Sequence, residues 1–327
     1  MRNAGLEAPI WIFGATISLS AVAAFLPSTF SYASKAKLPF KIGKATETAY
    51  SFPFTLFYQR KIVSFDPDED FALKSGDWPY TEKDMNRLDS SDDARFYDNP
   101  RFVTHIDDRA IASLTAFYQD GFESLLAKEI PEKRLDILDL CSSWISHLPG
   151  EHESEVRYGR VAGVGMNREE LERNGQLTEY YVQDLNKHST LSQFKDCSFD
   201  VIANVVSVDY LTNPKLVFEE MHRLLRPGGI ALVSFSNRCF ATKAVALWLQ
   251  ADDIDRLTIV ASYFHYAASW SSLEAIDIIP EKQLLPERPS MQEMLSNPSK
   301  GFAWMNTASS VQKGNSGDPM FVIRAVK

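Results

Sequence analysis

The residues best suited to bind a ligand follow an apolar run in the middle of the chain. Leu135–Leu140 has the composition of a buried strand, and it carries Asp139 into the turn Cys141-Ser142-Ser143. Open α/β sheets bind ligands outside the carboxyl ends of their strands, so this acid and these small residues predict contacts to a polar ligand. Cys141 has no neighbouring lysine or arginine to lower the pKa of its thiol, which favours a small loop residue over a nucleophile.

Four further side chains are candidates for proton transfer to or from a reacting group. His147 follows the Asp139 turn, His105 precedes a helical segment, and Asp209 and Tyr210 come directly after a later strand. A histidine or carboxylate with a pKa near neutral acts as a general base. The alternatives are a surface histidine at 147, a helix cap at 105 and a helix start at 209–210. The histidines show no zinc-ligand spacing, and no metal site is expected.

A repeated order of strand, turn and helix begins at residue 134 and must position these side chains. The predicted strands span residues 135–140, 160–166, 180–183, 199–204, 230–235, 275–279 and 321–326. Near-continuous apolar strands separated by helices are typical of parallel sheets covered on both faces. We therefore predict an α/β fold with a Rossmann-like, doubly wound, mostly parallel sheet of seven strands, preceded by a helical and irregular N-terminal extension.

Helices are predicted between these strands and before the first of them. Apolar residues from Ile111 to Leu125 recur at three- and four-residue spacing, and Asp108 is a candidate cap for that helix. Asn167 is expected to cap a short helix, and Pro214 to begin an amphipathic one. Residues 46–133 form the lead-in and a helical lid, 134–327 form the main domain, and 281–320 are expected to be a long loop near the site.

The pattern resembles the class I S-adenosylmethionine-dependent methyltransferases, within the type 11 group that acts on small molecules. The resemblance covers residues 134–240 well and 241–327 weakly. Its most specific part is Phe199-Asp200-Val201-Ile202, followed about twenty-five residues later by Leu224-Leu225-Arg226-Pro227-Gly228-Gly229. The resemblance implies S-adenosylmethionine as cofactor and a small-molecule acceptor.

The same resemblance implies a set of site residues. The expected cofactor contacts are Asp139, Leu140, Cys141, Ser142, Ser143, Gly165, Met166, Asn167, Asp184, Leu185, Asn204 and Val205. Asp184 stands where the family keeps an acid near the adenine. Asp209 and Tyr210 stand where it often places acceptor-side residues, and His105 lies in the segment that often forms a lid.

The chain departs from the family pattern at two places. Cys141, Ser143 and Ile145 replace the three loop glycines, which normally allow close approach of the backbone and positive φ. Gly165 replaces the acid that accepts hydrogen bonds from the ribose, and losing one or two such bonds weakens binding on the order of tenfold to a few thousandfold. Asn167, Glu169 or Glu170 are candidate substitutes. The Asp139-to-Trp144 loop resembles a variant form in methyltransferase-like proteins of photosynthetic organisms.

These departures leave two functional hypotheses open. The first is methyl transfer to a small molecule, and the second is a non-catalytic methyltransferase-fold protein that acts as a ligand-binding or assembly module. An NAD(P) dehydrogenase is disfavoured, because the chain lacks both the glycine fingerprint and the ribose acid.

Charge, cysteine content and the first 45 residues bear on partners and location. A net charge of −9 argues against a nucleic-acid binder, and three scattered cysteines indicate no disulfide framework. Residues 10–26 are apolar, and 28–45 contain serine, threonine and lysine but no acid. This order resembles the bipartite plastid presequences of algae. The alternatives are a membrane anchor, which would give membrane contact, and an ordinary secretory signal.

Overall fold

Most of the chain after residue 78 is described by the structure, which is a computed structural model. The described residues are 60–65, 78–127, 132–150, 154–279, 289–291, 293, 297–315 and 317–327. The expected targeting segment, residues 1–45, lies outside them. Within the described part, no helix has the length and apolar character needed to cross a membrane.

Eight strands form one mixed sheet. Strands β1 to β8 span Arg60–Phe65, Leu135–Leu140, Tyr158–Gly165, Glu179–Val182, Phe199–Val205, Leu225–Phe235, Ser272–Asp277 and Phe321–Val326. Their order across the sheet is β1-β7-β8-β6-β5-β2-β3-β4. Strands β2 to β6 pair in parallel, whereas β8 is antiparallel to β6 and β7, and β1 is antiparallel to β7. The predicted doubly wound fold is confirmed, with eight strands instead of seven because the lead-in contributes β1.

Helices cover both faces of the sheet. Helices α1 to α8 span Glu82–Met85, Asp93–Phe96, Asp108–Leu126, Arg168–Arg173, Pro214–Leu224, Ala246–Leu249, Asp253–Ala267 and Pro298–Asn315. The predicted cap Asn167 accepts a hydrogen bond from the Glu170 N–H at the start of α4. The predicted cap of α3, Asp108, is wrong by one residue. The Asp107 side chain caps the helix, because it accepts a hydrogen bond from the Ala110 N–H. Helix α8 replaces part of the loop predicted over 281–320.

Alternate residues of the central strand point to two separate cores. Ile137 of β2 packs in a buried cluster with the apolar face of α3, including Leu114 and Phe122. Leu138 and Leu140 pack in another buried cluster with side chains of α5 and α7. This alternation is the period-two pattern of a strand buried on both faces, and it fixes which way the Asp139 side chain points.

The motif that carries the strongest resemblance lies at the amino ends of the parallel strands. Arg226 forms ion pairs of 2.6 Å with both Asp200 and Asp136. A Cβ at Gly229 would lie 2.9 Å from the carbonyl oxygens of Arg226 and Asp200, so only glycine fits there. The motif therefore joins β2, β5 and β6 at the edge opposite the candidate site. It supports the fold and makes no contact with a ligand at the carboxyl ends.

Candidate functional site

A cavity of about 320 Å³ opens at the carboxyl ends of β2, β3 and β5. The order of the sheet reverses between β2 and β5, and ligands of doubly wound folds bind at such a switch point. The turn after β2 and the ends of β3 and β5 line one side of the cavity. Residues from the segments 97–106 and 238–240 line the other side.

The turn after β2 adopts the backbone conformation expected of a glycine. Cys141 has φ of +58°, in the left-handed region that residues with a Cβ enter at a cost of about 1 kcal/mol or more. The next residue returns to the sheet, because the Ser142 N–H donates to the Val164 carbonyl at 2.8 Å. Cys141 therefore adopts the positive φ that the first loop glycine of the family pattern allows.

Gly165 at the end of β3 is required by this turn. A Cβ at position 165 would lie 2.1 Å from the Ser142 carbonyl oxygen, which is far inside van der Waals contact. No side chain fits there while the turn keeps its course. The absence of an acid at the end of β3 thus has a steric cause in the neighbouring turn.

Asp139 organises the turn through its buried carboxylate. Its Oδ2 atom accepts hydrogen bonds from Ser142 Oγ at 2.6 Å and Ser146 Oγ at 2.7 Å. Asn174 at the end of α4 donates in turn to Ser146 Oγ. Burial raises the pKa of Asp139 to about 6, against the effect of the two hydroxyl donors, and the residue also lines the cavity. Asp139 therefore holds the turn in place through the two serines and also forms part of the cavity wall.

Asn167 and Glu170 are held by protein contacts beside the vacant acid position. Asn167 caps α4 with Oδ1 and donates through Nδ2 to the carbonyls of Tyr97 and Asp98. Glu170 does reach back to the site, where its two oxygens accept from Ser143 Oγ at 2.6 Å and from the Arg101 N–H at 2.7 Å. Glu169 is exposed on the outer face of α4. These contacts fasten the segment 97–106 to the turn.

The remaining expected cofactor contacts divide into two groups. Met166, Asp184, Leu185 and Val205 line the cavity, together with Cys141, Ser142 and Ser143. Leu140 and Asn204 are absent from its lining. Asn204 is buried and donates through Nδ2 to the Leu140 carbonyl at 3.2 Å, so it supports the strand ends from below.

Three of the four proton-transfer candidates line the cavity, and Asp209 does not. Asp209 is 2% exposed, its Oδ2 has no partner among the described residues, and burial raises its pKa to about 8. Tyr210 faces the cavity, and its hydroxyl accepts a hydrogen bond from the Phe240 N–H at 2.8 Å. The Asp209 carboxyl group lies too deep to contact a ligand in the cavity.

The two histidines and Cys141 are uncharged at neutral pH. Burial lowers the pKa of His147 to about 4, with a further contribution from His105, whose own pKa burial also lowers. Burial raises the pKa of the Cys141 thiol to about 12, so a thiolate nucleophile is disfavoured. The expectation that Cys141 is a small loop residue agrees with this environment. His147 is buried, and the expected surface position is wrong.

Several residues that line the cavity were not predicted as site residues from the sequence. Tyr97, Arg101 and Phe240 line the cavity, as do Arg238 and Val206. The aromatic density of residues 96–102 is the only sequence signal for part of this group. Val206 directly follows β5 with φ of +41°, a strained conformation for a β-branched residue, of a kind that concentrates at functional sites. Within the described residues, no group of three or more metal-ligating side chains is present.

Comparison with known proteins points to one family. Residues 153–233 match the family model described as a methyltransferase domain, which is less than half of the chain. No curated protein matches the sequence at a significant level. The match confirms the resemblance to methyltransferases predicted from the sequence.

Solved structures of methyltransferases are also similar, at low identity. A putative sarcosine dimethylglycine methyltransferase from Galdieria sulphuraria is 12% identical, with 72% of this chain and 98% of that chain covered and a TM-score of 0.38. An S-adenosylmethionine-dependent methyltransferase from Mesorhizobium loti is 14% identical, with 63% and 96% covered and a TM-score of 0.34. A phosphoethanolamine N-methyltransferase from Haemonchus contortus, solved with S-adenosylhomocysteine, is 15% identical, with 70% and 61% covered and a TM-score of 0.36.

Proposed function

We propose that the protein transfers a methyl group from S-adenosylmethionine to a small-molecule acceptor. The observation that carries this proposal is the glycine-like turn at Cys141, closed against Gly165 beside a cavity at the switch point of the sheet. The methyltransferase domain match over 153–233 supports the same activity. The turn residues Cys141, Ser142 and Ser143 are small enough to let the cofactor approach, and the carboxylates of Asp139 and Asp184 line the same cavity.

The residues that would hold the cofactor come from the ends of the parallel strands. Asp139 and the Cys141–Ser143 turn would bind one part of it, and Met166, Asp184 and Leu185 another. When bound, S-adenosylmethionine supplies a methyl group on a positively charged sulfur, which leaves as a neutral thioether. The protein contributes mainly by holding the acceptor atom in line with that methyl group and by excluding water.

An oxygen or nitrogen acceptor must also lose a proton as the new bond to carbon forms. His105 is the best placed group to take it, because it lines the cavity and its imidazole is neutral at neutral pH. His147 is a weaker base, since burial lowers its pKa to about 4. Tyr210 would orient the acceptor through its hydroxyl group, whose own position is fixed by Phe240.

The segment 97–106 is proposed to be a lid over the acceptor. Three hydrogen bonds attach it to the site. The indole N–H of Trp144 donates to the Val103 carbonyl at 3.1 Å, and Asn167 donates to the Tyr97 carbonyl. The Arg101 N–H donates to Glu170. Each contact joins the segment to the turn or to α4. Closure of this segment would remove water from the reacting atoms.

Calorimetric titration with S-adenosylhomocysteine tests the cofactor binding on which the proposed function depends. We expect saturable binding below millimolar concentration, and binding at least tenfold weaker in Asp139→Ala, since this carboxylate both shapes the turn and faces the cavity. Absence of binding at millimolar ligand would reject the enzyme hypothesis. Unchanged affinity in Asp139→Ala would remove that residue from the cofactor site.

The non-catalytic module remains the second candidate, and one observation favours it. Glu170, the candidate substitute acid that reaches back to the site, is already engaged by Ser143 and by the Arg101 backbone, which weakens its claim as a partner of the ribose. A protein that binds S-adenosylhomocysteine but transfers no labelled methyl group to any compound of a metabolite extract would support this candidate.

We also propose that residues 1–45 direct the chain to a plastid. The basis is their composition, an apolar stretch followed by an acid-free segment rich in serine and lysine. Fusion of residues 1–45 to a fluorescent reporter in an alga with a secondary plastid tests this assignment. Plastid fluorescence is expected, whereas cytosolic or membrane fluorescence would reject it.

A further inference from the structure

Six charged side chains, four acidic and two basic, line the cavity, and they differ in whether they have a partner of opposite charge or a hydrogen-bond partner within the protein. The acids are Asp93, Asp139, Glu170 and Asp184, and the two arginines are Arg101 and Arg238. Unpaired charge in a concave site is the feature that selects a ligand, because a buried or half-buried charge is costly without a partner. The partners of each group therefore indicate the charge of the missing ligand.

The four acids are all engaged by protein donors. Asp93 accepts from Arg87, Lys243 and Asn186. Asp139 and Glu170 accept from the serines of the turn, and Glu170 also accepts from a backbone N–H. Asp184 accepts from the Asn186 N–H and lies 3.9 Å from the Lys187 ammonium. None of the four thus calls for a cationic ligand.

The two arginines differ. Arg238 pairs with Asp318 at 2.6 Å and is 64% exposed. Arg101 is half-buried and forms no ion pair within the described residues. Its guanidinium group makes a single hydrogen bond, from Nη2 to the Phe96 carbonyl at 2.8 Å. Since a guanidinium group has five N–H donors, four remain without an acceptor among the residues that the structure describes.

The position of the Arg101 guanidinium group is fixed by its surroundings. Its Cζ atom lies 4.4 Å from the centre of the Phe96 ring and 5.5 Å from that of Phe240. Its backbone N–H is held by Glu170. A planar group held against two aromatic rings loses little conformational entropy when it binds a carboxylate or a phosphate, and its fork matches both.

Arg101 belongs to the acceptor side of the cavity. It contacts Phe240, which follows β6, and the Phe240 N–H bonds the Tyr210 hydroxyl after β5. His105 lies against the same Phe240 ring, at 5.4 Å between centroids. The proposed proton acceptor and the unpaired cation thus share one wall of the cavity.

We propose that Arg101 binds a carboxylate or phosphate group of the methyl acceptor. This inference rests on the proposed function, which supplies the acceptor. The ring of Phe240 and the phenol of Tyr97 beside it favour an acceptor whose anionic group is attached to a flat or apolar body. A cationic acceptor would meet an unpaired arginine at this wall and would be rejected.

Fluorine NMR titrations of the full chain with small probes test this inference. The probes are 4-fluorobenzoate, 4-fluorophenyl phosphate and the neutral 4-fluorobenzamide, each with and without saturating S-adenosylhomocysteine. We expect one or both anions to bind more tightly than the amide. Arg101→Gln should weaken binding of the preferred anion by about tenfold or more and leave the amide unchanged. The stronger of the two anions identifies whether the acceptor group is a carboxylate or a phosphate.

Arg173→Gln is the matched control. Arg173 also stacks on an aromatic ring, at 4.6 Å from Phe102, but it is exposed on α4 and does not line the cavity. Its replacement should leave all three probes unaffected. Arg101→Lys, which keeps the charge but not the planar fork, should retain part of the preference for anions. This second variant separates charge recognition from a general loss of folding.

Two results would overturn the inference. One is an unchanged ratio of anion to amide affinity in Arg101→Gln. The other is a loss of affinity for S-adenosylhomocysteine without a loss for 5′-methylthioadenosine, which lacks the amino-acid carboxylate, since Arg101 would then bind the cofactor. If wild-type protein binds the anions but not S-adenosylhomocysteine, the proposed function fails while the anion site at Arg101 stands.

Discussion

At the scale of single residues, the site depends on backbone conformations that the sequence does not show. Cysteine adopts positive φ in only a few per cent of cases, and nothing in the sequence around Cys141 marks it as one of them. The steric need for glycine at 165 was equally hidden, because it arises from the Ser142 carbonyl of another strand end. The acid Asp139 was predictable from its place after an apolar strand, but its two serine donors were not.

Substitution of Gly165 tests the contact with the turn. Gly165→Ala, and equally Gly165→Asp, should lower the free energy of unfolding by about 1–3 kcal/mol and abolish binding of S-adenosylhomocysteine, because the added Cβ displaces the Ser142 carbonyl. Denaturant unfolding and calorimetry measure the two effects. Gly175→Ala is the control, since a Cβ there meets no atom within 4 Å and should be tolerated. Improved binding in Gly165→Asp would contradict the steric account.

Asp209 makes stability depend on pH. The native state holds its proton up to about pH 8, whereas the unfolded chain releases it near pH 4, so the native state binds more protons between these values. The free energy of unfolding therefore falls as pH rises through this window. Asp209→Asn removes the effect, and between pH 6 and pH 8 wild-type protein should lose on the order of 2 kcal/mol relative to the variant. An equal difference in the free energy of unfolding between wild-type protein and Asp209→Asn at pH 6 and pH 8, measured by urea unfolding, would refute the assignment.

At the scale of elements, periodicity predicted the middle of each strand and helix better than its ends. The strands 135–140 and 321–326 were predicted with their observed bounds, because each is a short, mainly apolar run. The predicted cap of α3 was wrong by one residue, since two successive aspartates stand at its start and only the backbone decides which one caps. Strand β1 was missed because its burial comes from pairing with β7, which lies about two hundred residues away in the sequence.

The two aspartates at the start of α3, Asp107 and Asp108, are distinguishable by their effects on stability. Asp107 accepts from the Ala110 N–H and from the Asp318 N–H, and so joins the start of α3 to the segment before β8. Asp107→Ala should lower the free energy of unfolding by about 1–2 kcal/mol, whereas Asp108→Ala, which alters an exposed side chain, should change it by less than about 0.5 kcal/mol. Chemical denaturation measures both. Equal losses in the two variants would contradict the assigned cap.

At the scale of the whole molecule, the fold was predictable and the far wall of the cavity was not. The order of strands and helices after residue 134 led to the doubly wound sheet, and the Arg226 motif marks that fold through contacts at the opposite edge. Tyr97, Arg101 and Phe240 meet at the cavity from distant parts of the chain. No local sequence pattern predicts this contact, because it depends on how the segments 97–106 and 238–240 pack together at the carboxyl ends of the strands.

Strand β1 protects one edge of that sheet. It pairs with β7, and Lys61 contacts Glu274, which Arg324 also contacts from β8. A chain that begins at residue 46 retains β1, whereas one that begins at residue 78 exposes the backbone N–H and C=O groups of β7. We expect the shorter chain to unfold at lower temperature and to self-associate. Equal melting temperatures and identical monodisperse elution from a sizing column would show that the edge needs no cover.

The contact between Ser142 and Gly165 turns two departures from the family pattern into one. A chain with this turn must carry glycine at 165, and a chain with an acid at 165 needs a turn that stays away from β3. Neither position is therefore free to mutate alone, and intermediates with only one change would be penalised. In related sequences we therefore expect the residues of the turn and the residue at position 165 to change together. This pairing distinguishes the variant form of the fold from the ordinary one.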